Sequence, residues 1–159
     1  MNIRSANIND ASKIAHFNQM MALETEEKTL DPETVAKGVE AVLTHADRGF
    51  YTVAEINGEV VGCVMITYEW SDWRNGNIWW IQSVYVDARH RKTGVFRAMY
   101  EHLYKQAAAT EDIAGMRLYV DKTNTAAQAV YRKMGMNLAR YDIYEVDFVL
   151  EGAKDLPKI

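Results

Sequence analysis

Ile78-Trp-Trp-Ile-Gln-Ser-Val-Tyr-Val86 is followed at once by Asp87-Ala-Arg-His-Arg91-Lys-Thr-Gly94, and then by Val95-Phe-Arg-Ala-Met-Tyr-Glu-His-Leu103. The first run is rich in β-branched and aromatic residues and reads as a strand. In the third run Val95, Met99 and Leu103 recur every four residues, with Phe96, Tyr100 and Tyr104 beside them, which predicts a helix with one broad buried stripe ending near Ala109. A short apolar stretch, Met116 to Val120, reads as the next strand. A strand, a helix and a strand in that order make a right-handed parallel crossover, which sets the middle of the fold.

Working back from this crossover, Phe50 to Ile56 and Val60 to Tyr68 flank Asn57-Gly58, the pair best suited to positive φ at both turn positions, so they form a hairpin. Arg74-Asn75-Gly76-Asn77 is a second turn signal and makes the Ile78 strand antiparallel to its predecessor. Further upstream, Asn2 to Ser5 reads as a short strand. A helix carrying Ile14, Phe17 and Met21 follows, capped by Asn9 or Asp10, and Asp31-Pro32-Glu33 starts a second one. Downstream, Thr125 to Gln128 offers a capping box for a helix presenting Ala127, Val130, Tyr131 and Met134, with Gly135 as its stop. Asn137 to Ala139 and Tyr141 to Leu150 read as closing strands. The fold class is α+β, with a mixed, mostly antiparallel central sheet and helices on both faces.

The chain of 159 residues has the length of a single domain, spanning 1–159. A hydrophobic fraction of 48% and a charged fraction of 25% fit a soluble globular protein. A net charge of −4, with basic residues spread along the chain, argues against a nucleic-acid partner. Cys63 is the lone cysteine and lies in an apolar run, so neither a disulfide framework nor a cysteine zinc site can be built. His16, His45, His90 and His102 lack metal-site spacing, and no metal is assigned. No apolar stretch suits a signal peptide or a membrane span, so a cytoplasmic location is expected.

Chemistry concentrates between Val84 and Arg97. Where a strand runs into a basic, glycine-bearing loop and straight on into a helix, unpaired N–H groups and the positive helix end converge on a place for an anion. Gly94 lets the backbone approach that anion, and Arg89, Arg91, Lys92 and Arg97 add charge. The plain alternative is a solvated βα loop. The Gly-Lys-Ser/Thr ending of a Walker A loop is missing.

Arg91-Lys92-Thr93-Gly94-Val95, preceded by Val84-Tyr85-Val86-Asp87, resembles the Q/R-x-x-G-x-G/A loop of the GNAT superfamily of N-acetyltransferases. Asn124-(x)6-Tyr131-(x)3-Gly135-Met136 is similar to that family's second cofactor motif, and the order of elements follows the family from Phe50 onward. Phe96 departs from the pattern, standing where the family places Gly or Ala. The resemblance implies a GNAT-like sheet with a splayed parallel strand pair. It implies direct transfer of an acetyl group from acetyl-CoA to the amine of a small molecule or peptide, in a ternary complex and without a metal. The cofactor would lie along Val84, Tyr85 and Val86, in the loop Arg91, Lys92, Thr93, Gly94, Val95, Phe96 and Arg97, and against Asn124 and Tyr131. Tyr131 would also be the acid that protonates the departing thiolate, its ordinary pKa of about 10 keeping it protonated at neutral pH. As plain structure, Tyr131 is a core aromatic and Asn124 a helix cap.

The base is less legible. Where relatives often carry a carboxylate, this strand has Gln82, which could hold a relaying water. Glu24 is a second catalytic candidate, and Glu24, Glu26, Glu69 and Trp80 are candidates for the acceptor pocket. Each carboxylate has a bland reading as a solvated surface group. Glu24, Glu26, Glu27 and Asp31 together lean toward a cationic acceptor. Strand alternation puts Trp79 and Trp80 on opposite faces, so one lines the acceptor pocket or a subunit interface, and a homodimer stays open. The competing function is a catalytically silent acyl-CoA-binding sensor or interaction module.

Overall fold

The computed structural model describes residues 1–148, which divide into a unit of residues 1–119 and a second beginning at Val120. In the first unit a five-stranded sheet runs β1 (Asn2–Ser5), β2 (Phe50–Ile56), β3 (Glu59–Ser71), β4 (Gly76–Val86) and β5 (Ile113–Arg117), side by side in chain order. The pairs up to β3–β4 are antiparallel, and β4–β5 is parallel. Asn57 and Gly58 turn the first hairpin with φ of 51° and 80°, the geometry that Asn-Gly adopts cheaply.

Helices α1 (Ala11–Glu26) and α2 (Pro32–Thr44) cover one face of the sheet. Ile14, Phe17 and Val39 form one core there with Tyr51, Val53, Cys63 and Tyr85. Helix α3 (Val95–Ala108) packs on the other face, where a Cβ placed on Gly62 would meet Val95 Cγ1 at 3.2 Å and Met99 Cε at 3.4 Å. Asp31 caps α2 by accepting from the Thr34 amide at 2.8 Å, with Pro32 next to it, as read from sequence. The start of α1 differs from expectation. Asn7 caps a preceding 3₁₀ turn, and the Asp10 carboxylate reaches back to the Asn7 amide at 2.8 Å while pairing with Arg4 at 2.8 and 2.9 Å. Asp10 thus ties β1 to α1.

Two features of β4 bear on the site. Cys63 pairs with Tyr85 and Met65 with Gln82, so Ser83 and Val84 together oppose Val64 in a bulge, with Ser83 at φ 46°. The bulge resets alternation and turns Gln82 and Tyr85 to the same face. Pairing with β5 ends at Trp80–Arg117, so among the described residues the β5-side edge of β4 from Ile81 to Val86 has no strand beside it. Strand β5 begins earlier than the expected Met116. Its small residues let it approach the start of β4, where a Cβ on Gly76 would lie 3.0 Å from the Asp112 carbonyl and 3.2 Å from Ala114 Cβ.

In the second unit α4 (Thr125–Lys133) is capped by Asn124, whose Oδ1 accepts from the Ala127 amide at 3.0 Å. The expected capping box does not form. Gln128 instead donates to the Asp121 and Lys122 carbonyls. Gly135 stops the helix, with Met136 N–H on the Tyr131 carbonyl and Gly135 N–H on that of Arg132. Neither closing strand is present in residues 137–148, and residues 149 and 150 lie outside the described residues. Tyr141, Tyr144, Val146 and Phe148 are each at least 70% exposed, so the alternating pattern has no apolar face to bury there.

Candidate functional site

The loop between β4 and α3 begins with a 3₁₀ turn capped by Asp87, which accepts from the Arg89 amide at 3.0 Å. Lys92 and Gly94 take left-handed φ of 64° and 88°, coiling the chain into the first turn of α3. Among the described residues the amides of Lys92, Thr93, Gly94 and Val95 donate to nothing. A Cβ on Gly94 would meet no atom within 4 Å, so this side of the loop is open. Consecutive open N–H groups at the head of a 14-residue helix make an anion cradle. The cradle is therefore built from main chain, because most of the surrounding cations are engaged. Arg89 pairs with Asp87 and Glu59, and Arg97 with Glu101. The Arg89 guanidinium holds the Asp87 carboxyl far below the usual carboxylate range.

Arg91 opens the loop and does structural work. Its Nε donates to the Val86 carbonyl at 2.9 Å, its Nη2 meets Glu24 Oε2 at 2.6 Å, and its guanidinium stacks 5.3 Å from the Tyr85 ring. The Tyr85 hydroxyl completes the set by donating to Glu24 Oε1 at 2.8 Å. The end of α1 is thereby latched to the start of the loop. Arg91 foremost, then Tyr85, lowers the Glu24 pKa, which makes this carboxylate a poor proton acceptor. Tyr85 is core by its side chain, 8% exposed and 5.0 Å from Phe17, so it has only main chain to offer a ligand at the strand edge.

On the α1/α2 face, beyond the cover of the helices, Gln82 Nε2 donates to Thr67 Oγ1 at 2.5 Å. The carbonyl oxygen of Gln82 accepts nothing among the described residues. Trp80 stands on this same face, and Trp79 is buried on the other in a T-shaped contact with Phe50, as alternation requires. Trp80 Nε1 donates to Glu69, which also pairs with Arg117 at 2.8 and 3.0 Å. Glu26 pairs with Lys28 on the surface, apart from this cluster. Arg117 and Tyr119 were absent from the expectations. Arg117 was legible in principle, as a lone cation within an apolar strand sequence.

Phe96 is half-buried with its ring 6.4 Å from that of Tyr100, along the helix stripe. In the second unit Tyr131 is half-buried, and burial raises its pKa above the ordinary value. Asn124, beyond its capping oxygen, keeps its side-chain NH₂ as an open donor among the described residues. No group of three or more His, Cys, Asp or Glu residues is arranged to hold a metal among the described residues. No helix among them is long and apolar enough to cross a membrane.

A family model described as the acetyltransferase (GNAT) family matches residues 17–136. The crystal structure of a possible acetyltransferase from Clostridium difficile 630 is 44% identical, with a TM-score of 0.86 over 92% of this chain and 96% of that one. A predicted acetyltransferase with acetyl-CoA from Clostridium acetobutylicum matches at 18% identity and TM-score 0.75 over 93% and 96% of the two chains. A ribosomal-protein-alanine N-acetyltransferase from Brucella melitensis biovar Abortus 2308 matches at 17% identity and TM-score 0.74 over 92% and 98%. At these last identities the likeness is one of fold. No curated protein matches the chain.

Proposed function

The chain belongs to the GNAT family of acetyltransferases, and from that premise we propose that it moves an acetyl group from acetyl-CoA directly to the amine of a small molecule or peptide, within a ternary complex. One observation carries the reading. The free edge of β4 from Ile81 to Val86 runs into a loop whose amides at Lys92, Thr93, Gly94 and Val95 are unclaimed among the described residues. An extended arm could add to that edge as a strand would, through the main chain of Val84, Tyr85 and Val86, while a diphosphate met the cradle. Phe96 and Arg97 extend the cradle into the first turn of α3, and Lys92 contributes charge. Bound acetyl-CoA supplies a thioester-activated acetyl group.

The chain's own tasks are then to hold, to orient and to move protons. As the amine nitrogen bonds to the acetyl carbon and the carbon–sulfur bond breaks, one proton leaves the amine and one reaches the sulfur. Gln82, with its open carbonyl oxygen, would hold the water that takes the first. Tyr131, kept protonated by its raised pKa, would give the second, and Asn124 would donate to the arm. Glu24 holds the loop through Arg91 in this reading. The proposal treats the whole chain as one acyltransferase-like domain. It includes a cytoplasmic location, which the lone buried Cys63 suits, and a homodimer, for which the exposed Trp70 and Trp73 offer apolar surface.

The test is release of free thiol from acetyl-CoA across amines, amino acids, polyamines and peptide N-termini. Turnover with a defined amine supports transfer. A silent acyl-CoA sensor is the second reading, favoured by the ion pairing of Glu24 and Glu69, which leaves neither carboxylate free as a base. A blank screen by protein that binds acetyl-CoA in calorimetry would select it.

A further inference from the structure

Glu69, Trp80 and Arg117 come from three neighbouring strands and meet at the last rung before β4 and β5 part. The guanidinium gives only Nη1 to Glu69, while its Nε and Nη2 donate to nothing among the described residues. That remaining edge is a two-pronged donor matched to a carboxylate. It is also held in place. The guanidinium lies 5.6 Å over the Trp80 ring, Trp80 is pinned to Glu69 through Nε1, and the Tyr119 ring stands 5.8 Å from Trp80. Arg117 and Glu69 are 37% and 39% exposed, so the pair is open to solvent on the face where Gln82 lies. The nearest carboxylate, Glu69, is already committed to Arg117, and Glu24 is committed to Arg91. The open donors at the sheet face belong to a cation, Arg117.

We propose that Arg117 receives a carboxylate of the acceptor, so that the amine served by this chain is an amino carboxylate, such as a free amino acid or a short peptide with a free C-terminus. The proposal rests on the transfer reading for the amine's role, but its binding claim stands alone. Gln82 is two residues from Trp80 on the same strand face, about 7 Å along β4. A carboxylate on Arg117 would therefore lie on the same sheet face as Gln82, the side chain to which the transfer reading assigns the relaying water. Trp80 and Tyr119 give the rest of that molecule an aromatic wall.

The experiment is calorimetry on protein saturated with CoA, titrated with phenylalanine against phenethylamine, lysine against cadaverine, and a dipeptide against its C-terminal amide, with thiol release from acetyl-CoA measured in parallel. A charge-assisted two-pronged contact is worth about tenfold to a hundredfold in affinity. The expected result is that the carboxylate-bearing member of at least one pair binds more tightly by that factor. Arg117→Gln should erase the difference and Arg117→Lys keep part of it, with CoA affinity unchanged in both. The amino acid and dipeptide arms tell the two sources of the carboxylate apart. Equal or tighter binding of the amines lacking a carboxylate, a preference that survives in Arg117→Gln, or no binding by any member at millimolar concentration would overturn the proposal. Thiol release without a carboxylate preference sinks this inference and spares the transfer reading. A preference lost in Arg117→Gln without thiol release does the reverse.

Discussion

Tyr131 and Gly94 carry the sharpest expectations at the scale of single residues. Tyr131→Phe removes a proton donor while keeping the ring, so kcat should fall about a hundredfold or more with KM for acetyl-CoA unchanged, as read by thiol release. A fall in affinity instead would make the phenol a packing group. Gly94→Ala separates backbone strain from ligand exclusion. A methyl there meets no protein atom, yet φ of 88° costs an L-residue about 1–2 kcal/mol. Thermal stability should drop by a few degrees, whereas acetyl-CoA affinity should drop tenfold or more because the methyl occupies the side on which the diphosphate would sit. Residues of the loop were legible because a strand end, a glycine and a helix start leave a local signature. Gln82 beside Thr67 and the Ser83 bulge were not, because a bulge is invisible to alternation and shows only once β3 sets the register. Phe96 turned along the helix stripe, since the spacing that placed it beside Tyr100 also decided its direction.

Two ties hold elements together, and each makes a distinct expectation. Asp10 joins β1 to α1, and its carboxyl is held below the ordinary value chiefly by Arg4. A folded-state pKa below the unfolded one gives stability that is complete above about pH 3.9 and lost as pH falls through the lower, folded value. Denaturant melts from pH 7 to pH 2 should therefore show wild type losing stability only in the acid range. Asp10→Asn should be less stable at neutral pH by about 1–3 kcal/mol, with a flatter acid limb. An unchanged acid limb would remove Asp10 from the account. The second tie runs from α1 through Glu24 to Arg91. Glu24→Gln should raise KM for acetyl-CoA several-fold with little change in kcat, whereas a general base at Glu24 would cost mainly kcat. The β2–β3 hairpin and the α3 crossover were readable because each has its own turn or period. The β5 start slipped to Ile113 because close approach to β4 selects small residues there over the larger apolar ones downstream. The closing strands failed as a reading because alternation gives a strand a face but no partner for its main chain.

At the scale of the molecule, a net charge of −4 means that attraction for an anionic cofactor would have to be local, and the proposed seat is the loop and the head of α3. If acetyl passes directly between two bound substrates, initial-rate lines at varied acetyl-CoA and amine should intersect, and parallel lines would signal an acetylated protein in between. The family and its sheet were legible from two short motifs and the order of elements. The Arg117–Glu69 contact was not, since the two side chains are 48 positions apart in the chain and meet only through the sheet. The most direct measurement is a map of backbone amide ¹⁵N shifts as CoA is titrated into the protein. The changes should concentrate at Lys92, Thr93, Gly94 and Val95 and along Ile81 to Val86, with hydrogen exchange slowed on that strand edge. Saturating CoA that leaves those amides unmoved, or moves a different surface, would contradict the account.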